Sequence, residues 1–264
     1  INKVNTNLST AKIIYPTLDY DNDMNFGNFY FKVPESIDAQ MQYYNYELTK
    51  TAIKYKNLFL LDINSLVFHH SNIRDPRLVV TSDLHFTISF TREIAISLNK
   101  IICASKGTFI KCVILDLDNT MWGGIIGDDG VEGIQVGSLG IGKAFSEFQI
   151  WLKSLKNRGI ILCVCSKNDE KIAKMPFEKH PEMILSLDDI AVFVANWENK
   201  VDNIKYIKNI LNIGYDSIVF IDDSKVERDM VKSAIEDIIV PELPEDPTLY
   251  KTYLIKQNLF ETTN

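Results

Sequence analysis

The sequence predicts an α/β protein built on a parallel sheet with helices on both faces. From residue 111 onward, short apolar runs alternate with stretches whose apolar residues recur at helical spacing. The runs at 112–115, 160–165, 191–195 and 217–221 lack the polar alternation of a sheet with one wet face. Three of them stop at polar residues, Asp116, Ser166 and Asp222, and open parallel sheets bind ligands at the carboxyl ends of their strands.

Residues 1–108 and 109–264 read as two domains. In the first, 11–15 predicts a strand, and 19–28, rich in Asp, Asn and Gly, predicts a loop. A helix is expected over 35–56, entered through Pro34, then a strand over 58–63 ending near Asp62. Ile94, Ile96, Leu98, Ile101 and Ile102 give 86–105 a helical pattern.

The second domain opens on the 112–116 strand. The Gly-rich 123–142 segment predicts a small β-flap. Ala144, Phe145, Phe148, Trp151, Leu152 and Leu155 mark one face of a helix over 143–158, closed by Gly159. Asp169 is placed to cap the helix after the 160–165 strand. A helix over 200–211 should end at Gly214, and another should cover 225–234. A last short strand is expected at 238–240, a turn-rich exit at 241–247 and a loose helix behind it.

Composition narrows the function classes. Of 264 residues, 46% are apolar and 24% charged, ordinary for a globular protein. A net charge of −7 argues against nucleic-acid or anionic-membrane partners, and no run is long and apolar enough to span a bilayer. The four cysteines, Cys103, Cys112, Cys163 and Cys165, form no Cys-x-x-Cys, and three fall in predicted strands. Buried free thiols in a reducing compartment are expected. That thiol usage is what makes a cytoplasmic location the expectation; the chain begins at Ile1, not Met, with no signal-like segment at its front.

The chemistry centres on Lys111-Cys-Val-Ile-Leu-Asp-Leu-Asp-Asn-Thr-Met-Trp122. A buried strand here ends in two acids, Asp116 and Asp118, with Thr120 close behind. Paired carboxylates repel unless a cation lies between them, and Mg²⁺ is the natural hard cation for oxygen ligands. The alternative is a solvated turn with an Asx cap. Ser166, Lys200 and Asp222-Asp223 each follow a strand on a separate βα unit. Singly, these read as a cap, a solvated side chain and another cap. Their joint order after Asp-x-Asp-x-Thr is hard to obtain by accident.

Asp116-x-Asp118-x-Thr120 after an apolar strand resembles motif I of the haloacid dehalogenase (HAD) superfamily. The resemblance implies a Rossmann-like domain with a minimal cap. It implies Asp116 as nucleophile, Asp118 as proton donor and acceptor, and Thr120 as a pin for the loop. Ser166 and Lys200 would hold phosphoryl oxygens. Asp116, Asp118 (through its backbone carbonyl), Asp222 and Asp223 would form the Mg²⁺ shell.

At finer grain the chain resembles the FkbH-like proteins, HAD subclass IIIC. Leu115-Asp-Leu-Asp-Asn-Thr-Met-Trp-Gly-Gly124, Gly127-Asp-Asp-Gly130 and Val164-Cys-Ser-Lys-Asn-Asp-Glu170 carry the match. So do Phe177-Glu-Lys-His-Pro-Glu-Met183, Asn196-Trp-Glu-Asn-Lys200, Phe220-Ile-Asp-Asp223 and Val240-Pro-Glu-Leu-Pro244. Met121 stands where Leu is usual, and Ser224 where Asn is common. This resemblance implies that a glyceryl group passes from a phosphoglycerate-type donor to an acyl carrier protein while phosphate leaves.

The front half resembles the rear part of an SGNH-hydrolase-like domain. Asp83 is one place too close to His85, and no Gly-Asp-Ser segment lies upstream, so no esterase triad assembles. His85 is expected to be a satisfied structural histidine, and His69 and His70 surface or packing residues.

Other readings stay open. Cys165, beside Ser166, could carry a glyceryl thioester if its pKa were depressed, and a small buried strand residue is the favoured alternative. The enzyme could be a plain phosphatase acting on a small phosphorylated metabolite. A signalling receiver also uses acids, Ser/Thr, Lys and Mg²⁺, but places its acidic pair first, whereas here Asp222-Asp223 comes last. A scaffold without catalysis would not need the full residue set. Gly137-Ser-Leu-Gly-Ile-Gly142 has the wrong glycine order for a nucleotide loop, and Trp122 is expected to shape the flap.

Overall fold

The computed structural model describes residues 11–19 and 25–262. They divide into two compact units, one reaching Gly107 and including Thr262, the other Thr108–Glu261.

In the first unit, β1 (Ile13–Pro16) pairs in parallel with β2 (Leu58–Leu61). Helix α1 (Ile37–Lys54) lies between them in sequence and starts at Ser36, whose side chain caps Ala39 N, rather than at Pro34. Asp62 ends the β2 segment and caps α2 (Ile63–His69). A further short helix, α3 (Pro76–Ser82), precedes α4 (Ile88–Ser105), which is capped by Thr87. Leu61, Ile63 and Ile101 form the centre of a small core with Ile14, Phe59, Ile94 and Leu98 packed on it.

Part of the loop expected at 19–28, residues 20–24, lies outside the described residues, and Gly27–Lys32 is a 3₁₀ helix. His70 packs on Phe90 and His69 on Phe68. His85 corrects the expectation of a satisfied structural histidine. It is exposed, 3.8 Å from a still more exposed Asp83.

The second unit is a four-stranded parallel sheet of order β5-β4-β3-β6, with strands β3 (Cys112–Leu115), β4 (Ile161–Ser166), β5 (Ile190–Ala195) and β6 (Ile218–Ile221). β3 has a strand on each side and a core on each face, which is why all four of its residues are buried. Side chains alternate across a strand. Val113 and Leu115 therefore pack with Phe148 and Leu152 of α6 (Gly142–Asn157), on one face. Cys112 and Ile114 pack on the other with Ile204 and Ile207 of α8 (Lys200–Leu211) and Val231 of α9 (Lys225–Ala234). Each fully buried aliphatic side chain contributes about 1.5–3 kcal/mol.

Three expectations need correction. The segment expected as a β-flap folds mainly as a short helix, α5 (Ile126–Gly133), broken at Gly130 where φ is +66°. Only the Gly123–Gln135 bridge keeps β character there. Helix α8 is ended by Asn212 in the left-handed region, while Gly214 starts a 3₁₀ turn. The strand at 238–240 reduces to one bridge from Ile239 to Val219. Asp169 caps α7 (Glu170–Lys179) as expected, and the C-terminal helix is α10 (Tyr250–Gln257). No helix among the described residues is long and apolar enough to cross a membrane.

Two polar anchors tie α6 to the rest of the unit. Gln149, wholly buried, donates from Nε2 to Met121 O (2.8 Å) and accepts from Ile184 N and Leu185 N. Asp189 pairs with Lys153 (2.6 Å) and Lys156 (3.2 Å) and accepts from Ser186. Burial alone would raise its carboxyl. Hydrogen bonds from Lys153, Ser186 and Lys156 outweigh it and hold the pKa at about 2, below its ordinary 3.8. A depressed carboxylate stabilises the fold above its unfolded pKa, and that contribution is lost as pH falls through the folded value. We expect Asp189→Asn to cost about 1–3 kcal/mol at pH 7. In urea unfolding the gap to wild type should close as pH drops from 4 toward 2. A gap independent of pH would refute this account of the anchor.

Candidate active site

The site is built where β3, β4 and β6 end. The Ile221 carbonyl accepts from Asp116 N at 2.9 Å, so the register of β3 against β6 continues into the first loop residue. Asp222 follows Ile221 and is fully enclosed. Lys200 is the first residue of α8, whose start is fixed by the Asn199 cap and by paired amide contacts between Asn196 and Asn203. From there its side chain, almost wholly buried, reaches Asp116 Oδ2 at 3.0 Å and Asp222 Oδ2 at 2.6 Å. One ammonium thus bridges two acids that lie more than a hundred residues apart in sequence.

Oxygens of Asp116, Asp222 and Asp223 lie within 4.8 Å of one another. Asp116 Oδ1 is buried with no hydrogen-bond partner. Lys200 against three carboxylates leaves an excess of two negative charges. An all-oxygen donor set with that excess and an unpartnered inward oxygen fits a hard divalent cation. Burial, with the Asp116 charge adding to it, raises Asp222 to about 6 and raises Asp223. Burial opposes charge on Lys200 as well, but the two flanking carboxylates outweigh it and hold the ammonium above the usual lysine range.

The Asp118 carboxylate points elsewhere and is not among the clustered acids. Oδ1 accepts from Trp122 Nε1 (2.9 Å) and Ile126 N (3.0 Å), and Oδ2 from Asn168 Nδ2 (3.1 Å). Burial is the main reason its pKa is raised, with the Asp116 charge adding and the three donors opposing. A carboxyl with a raised pKa, two residues from Asp116, suits proton transfer. Trp122 is therefore a buried partner of Asp118, set edge-on to Phe177, rather than part of an open flap.

Thr120 meets the Asp223 loop. Its hydroxyl accepts from Asp223 N at 3.1 Å and lies 3.3 Å from Asp223 Oδ1. Ser166 is buried at the last position of β4. Cys165 does not lie at the mouth of the site. Its sulfur is enclosed in the apolar core, 3.9 Å from the Lys200 carbonyl, and burial pushes the thiol up to about 12. The thiol packs as a small strand residue of the core.

Three contributors escaped sequence reasoning. Arg228 donates from Nη1 to the carbonyls of Asp222 (2.8 Å) and Asp223 (2.6 Å) and from Nη2 to Glu242, clamping the acidic loop. Asn168 holds Asp118, and Gln149 holds Met121. The only sequence signal for Arg228 was its place in the first turns after Asp-Asp.

A parallel sheet of this order, with acids at the carboxyl end of its inner strand, defines a Rossmann-like α/β protein of the HAD class. A family model of the FkbH N-terminal domain matches residues 1–103. The N-terminal part of the Bacteroides fragilis protein BF1531, described as containing a phosphatase domain and complexed with Mg, is 49% identical. That match covers 96% of this chain and 68% of the other, with a TM-score of 0.93. The chain belongs to the FkbH-like family of the HAD superfamily. A 3-deoxy-D-manno-octulosonate 8-phosphate phosphatase from Moraxella catarrhalis is 20% identical over 58% of this chain and 79% of its own, with a TM-score of 0.32, too low to carry an argument. No curated protein matches the chain.

Thr120→Val keeps the shape but leaves the Asp223 N–H without its acceptor. A loss of about 1–3 kcal/mol is expected in urea unfolding. An unchanged midpoint would show that the loop does not depend on this hydroxyl.

Proposed function

We propose that residues 109–264 form a Mg²⁺-dependent phosphoryl-transfer domain acting on a small phosphate ester, and that residues 1–108 form a separate domain. The buried Asp116–Lys200–Asp222 bridge, with Asp116 Oδ1 unpartnered and Asp223 beside it, carries this reading. Its 49%-identical relative is complexed with Mg, which supports the choice of ion.

The Asp116 carboxylate attacks phosphorus, forming an aspartyl phosphate as the ester P–O bond breaks. Asp118 gives its proton to the departing alkoxide and takes one back from the water that hydrolyses the intermediate. Lys200 orients the Asp116 carboxylate, and Ser166 lies at the strand end where phosphoryl oxygens would sit. Asp116, Asp222 and Asp223 would hold Mg²⁺, which when bound would supply positive charge that offsets repulsion between nucleophile and phosphate.

Family membership supports a finer reading, in which a glyceryl group from a phosphoglycerate-type donor is passed to an acyl carrier protein. The enclosed Cys165 sulfur does not serve as a relay, so its substitution by Ser should leave both phosphate release and any acyl delivery in place. A glyceryl-sized mass gain on a carrier protein would support transfer, and free glycerate as the sole product would exclude it.

Asp116→Asn removes a nucleophile and a metal ligand together. Phosphate release from three-carbon phosphate esters in Mg²⁺ should fall at least about a thousandfold, roughly 4 kcal/mol of barrier. Retention of even a tenth of wild-type turnover by the folded variant would eliminate Asp116 as the phosphoryl acceptor.

A further inference from the structure

Lys200 and Arg228 are both buried beside the acidic cluster. Lys200 meets carboxylates, whereas Arg228 meets main chain. Its Nη1 donates to the Asp222 carbonyl at 2.8 Å and to the Asp223 carbonyl at 2.6 Å. Two successive carbonyls converge on one nitrogen only where the chain turns between them, and the chain bends at Asp223. One side chain thus fixes the torsions that relate the two acids. The pair is held from other sides as well. Ser224 N donates to Asp222 Oδ1 at 2.8 Å, and Asp223 N donates to the Thr120 hydroxyl at 3.1 Å. Arg228 is itself anchored. The Ser224 carbonyl accepts its backbone N–H at 3.1 Å, and Nη2 lies 3.2 Å from Glu242 Oε2.

Neither stability nor charge accounts for a guanidinium at this place. Its Nε is buried with no hydrogen-bond partner, and an apolar side chain would fill the same space without that desolvation cost. A positive charge beside a cluster that fits a cation weakens cation binding by repulsion. What Arg228 adds is rigidity in the step from Asp222 to Asp223. Rigidity matters differently to the two common hard cations. Mg²⁺ demands near-octahedral oxygens at about 2.0–2.1 Å, while Ca²⁺ accepts about six to eight oxygens at about 2.3–2.6 Å in looser arrangements. Acids that cannot shift relative to one another suit the exacting ion. Acids freed to move re-form around the larger, more tolerant one.

We infer that Arg228 is a positioning residue that sets the choice of ion: by locking the carbonyls of Asp222 and Asp223 it makes the acidic cluster prefer Mg²⁺ over Ca²⁺. It acts through the two acids and ligates no ion itself. The inference rests on the reading of Asp116, Asp222 and Asp223 as the cation's ligands and adds to it what selects the cation.

Isothermal titration of the full chain with MgCl₂ and with CaCl₂ reads two dissociation constants and needs no turnover. Wild type should prefer Mg²⁺ by about tenfold or more. Arg228→Met should weaken Mg²⁺ binding about 10–100-fold, the usual loss when a group that orients a metal ligand is removed, and leave Ca²⁺ within about threefold. Arg228→Lys keeps the charge but loses the planar fork, so its selectivity should fall in the same direction. It decides the matter if the Met variant shows no cooperative melt. A wild-type ratio near one overturns the inference. So do constants for Mg²⁺ and Ca²⁺ that stay unchanged or weaken in step, which would mark a loop support that does not select. Both constants tightening would overturn it too, because Arg228 would then act only as a nearby charge. Wild type that takes up neither ion, or Asp116→Asn that takes up both as wild type does, would instead remove the reading of these acids as a cation site, and this inference with it.

Discussion

One buried ammonium organises the catalytic edge. Lys200 lies between Asp116 and Asp222, each enclosed by apolar strands. Removing charges from water is expensive, and a buried cation persists only with close, well-aligned partners. That requirement reaches outward. α8 must begin at residue 200, so Asn199 caps it and Asn196 and Asn203 interlock beneath. Asp222 must hold its place, so Arg228 grips its carbonyl and Ser224 N donates to its carboxylate. The sheet supplies the frame, and the charge bridge dictates where the loops end.

Much of this was legible in the residues. The four apolar runs became four parallel strands, because a strand buried on both faces has no reason to alternate. The residues at 116, 166, 200 and 222 could be placed at one edge because parallel βα units bring every strand's carboxyl end to the same side. Lys200 and Asp222 are 22 residues apart, yet their contact followed from topology alone.

What escaped reading depended on contacts with no sequence period. Glycines at 123, 124, 127 and 130 suggested a flap, but Asp118 draws in Ile126 N and Asp129 accepts from Ile125 N, and these local bonds start a helix. Asn212 took the left-handed position expected of Gly214, as Asn can at modest cost. Cys165 packs toward Ile204 and Ile207, in keeping with the favoured reading of a small buried strand residue. Arg228 gave little signal beyond its place after Asp-Asp, because it bonds main-chain carbonyls, whose positions a sequence does not display.

The bonds from Asp116 N to the Ile221 carbonyl and from Asp223 N to the Thr120 hydroxyl join segments about a hundred residues apart. Closing so long a loop costs chain entropy before any contact repays it, which slows such pairings. Synthesis proceeds from the N-terminus, so β3 and β4 are complete while β6 is still unmade. During that interval one edge of the apolar strand Cys112–Leu115 has no partner, and an unpaired hydrophobic edge is a template for pairing with other chains. The same central placement that shelters Asp116 in the finished protein leaves its strand open to pairing with other chains while it is being made.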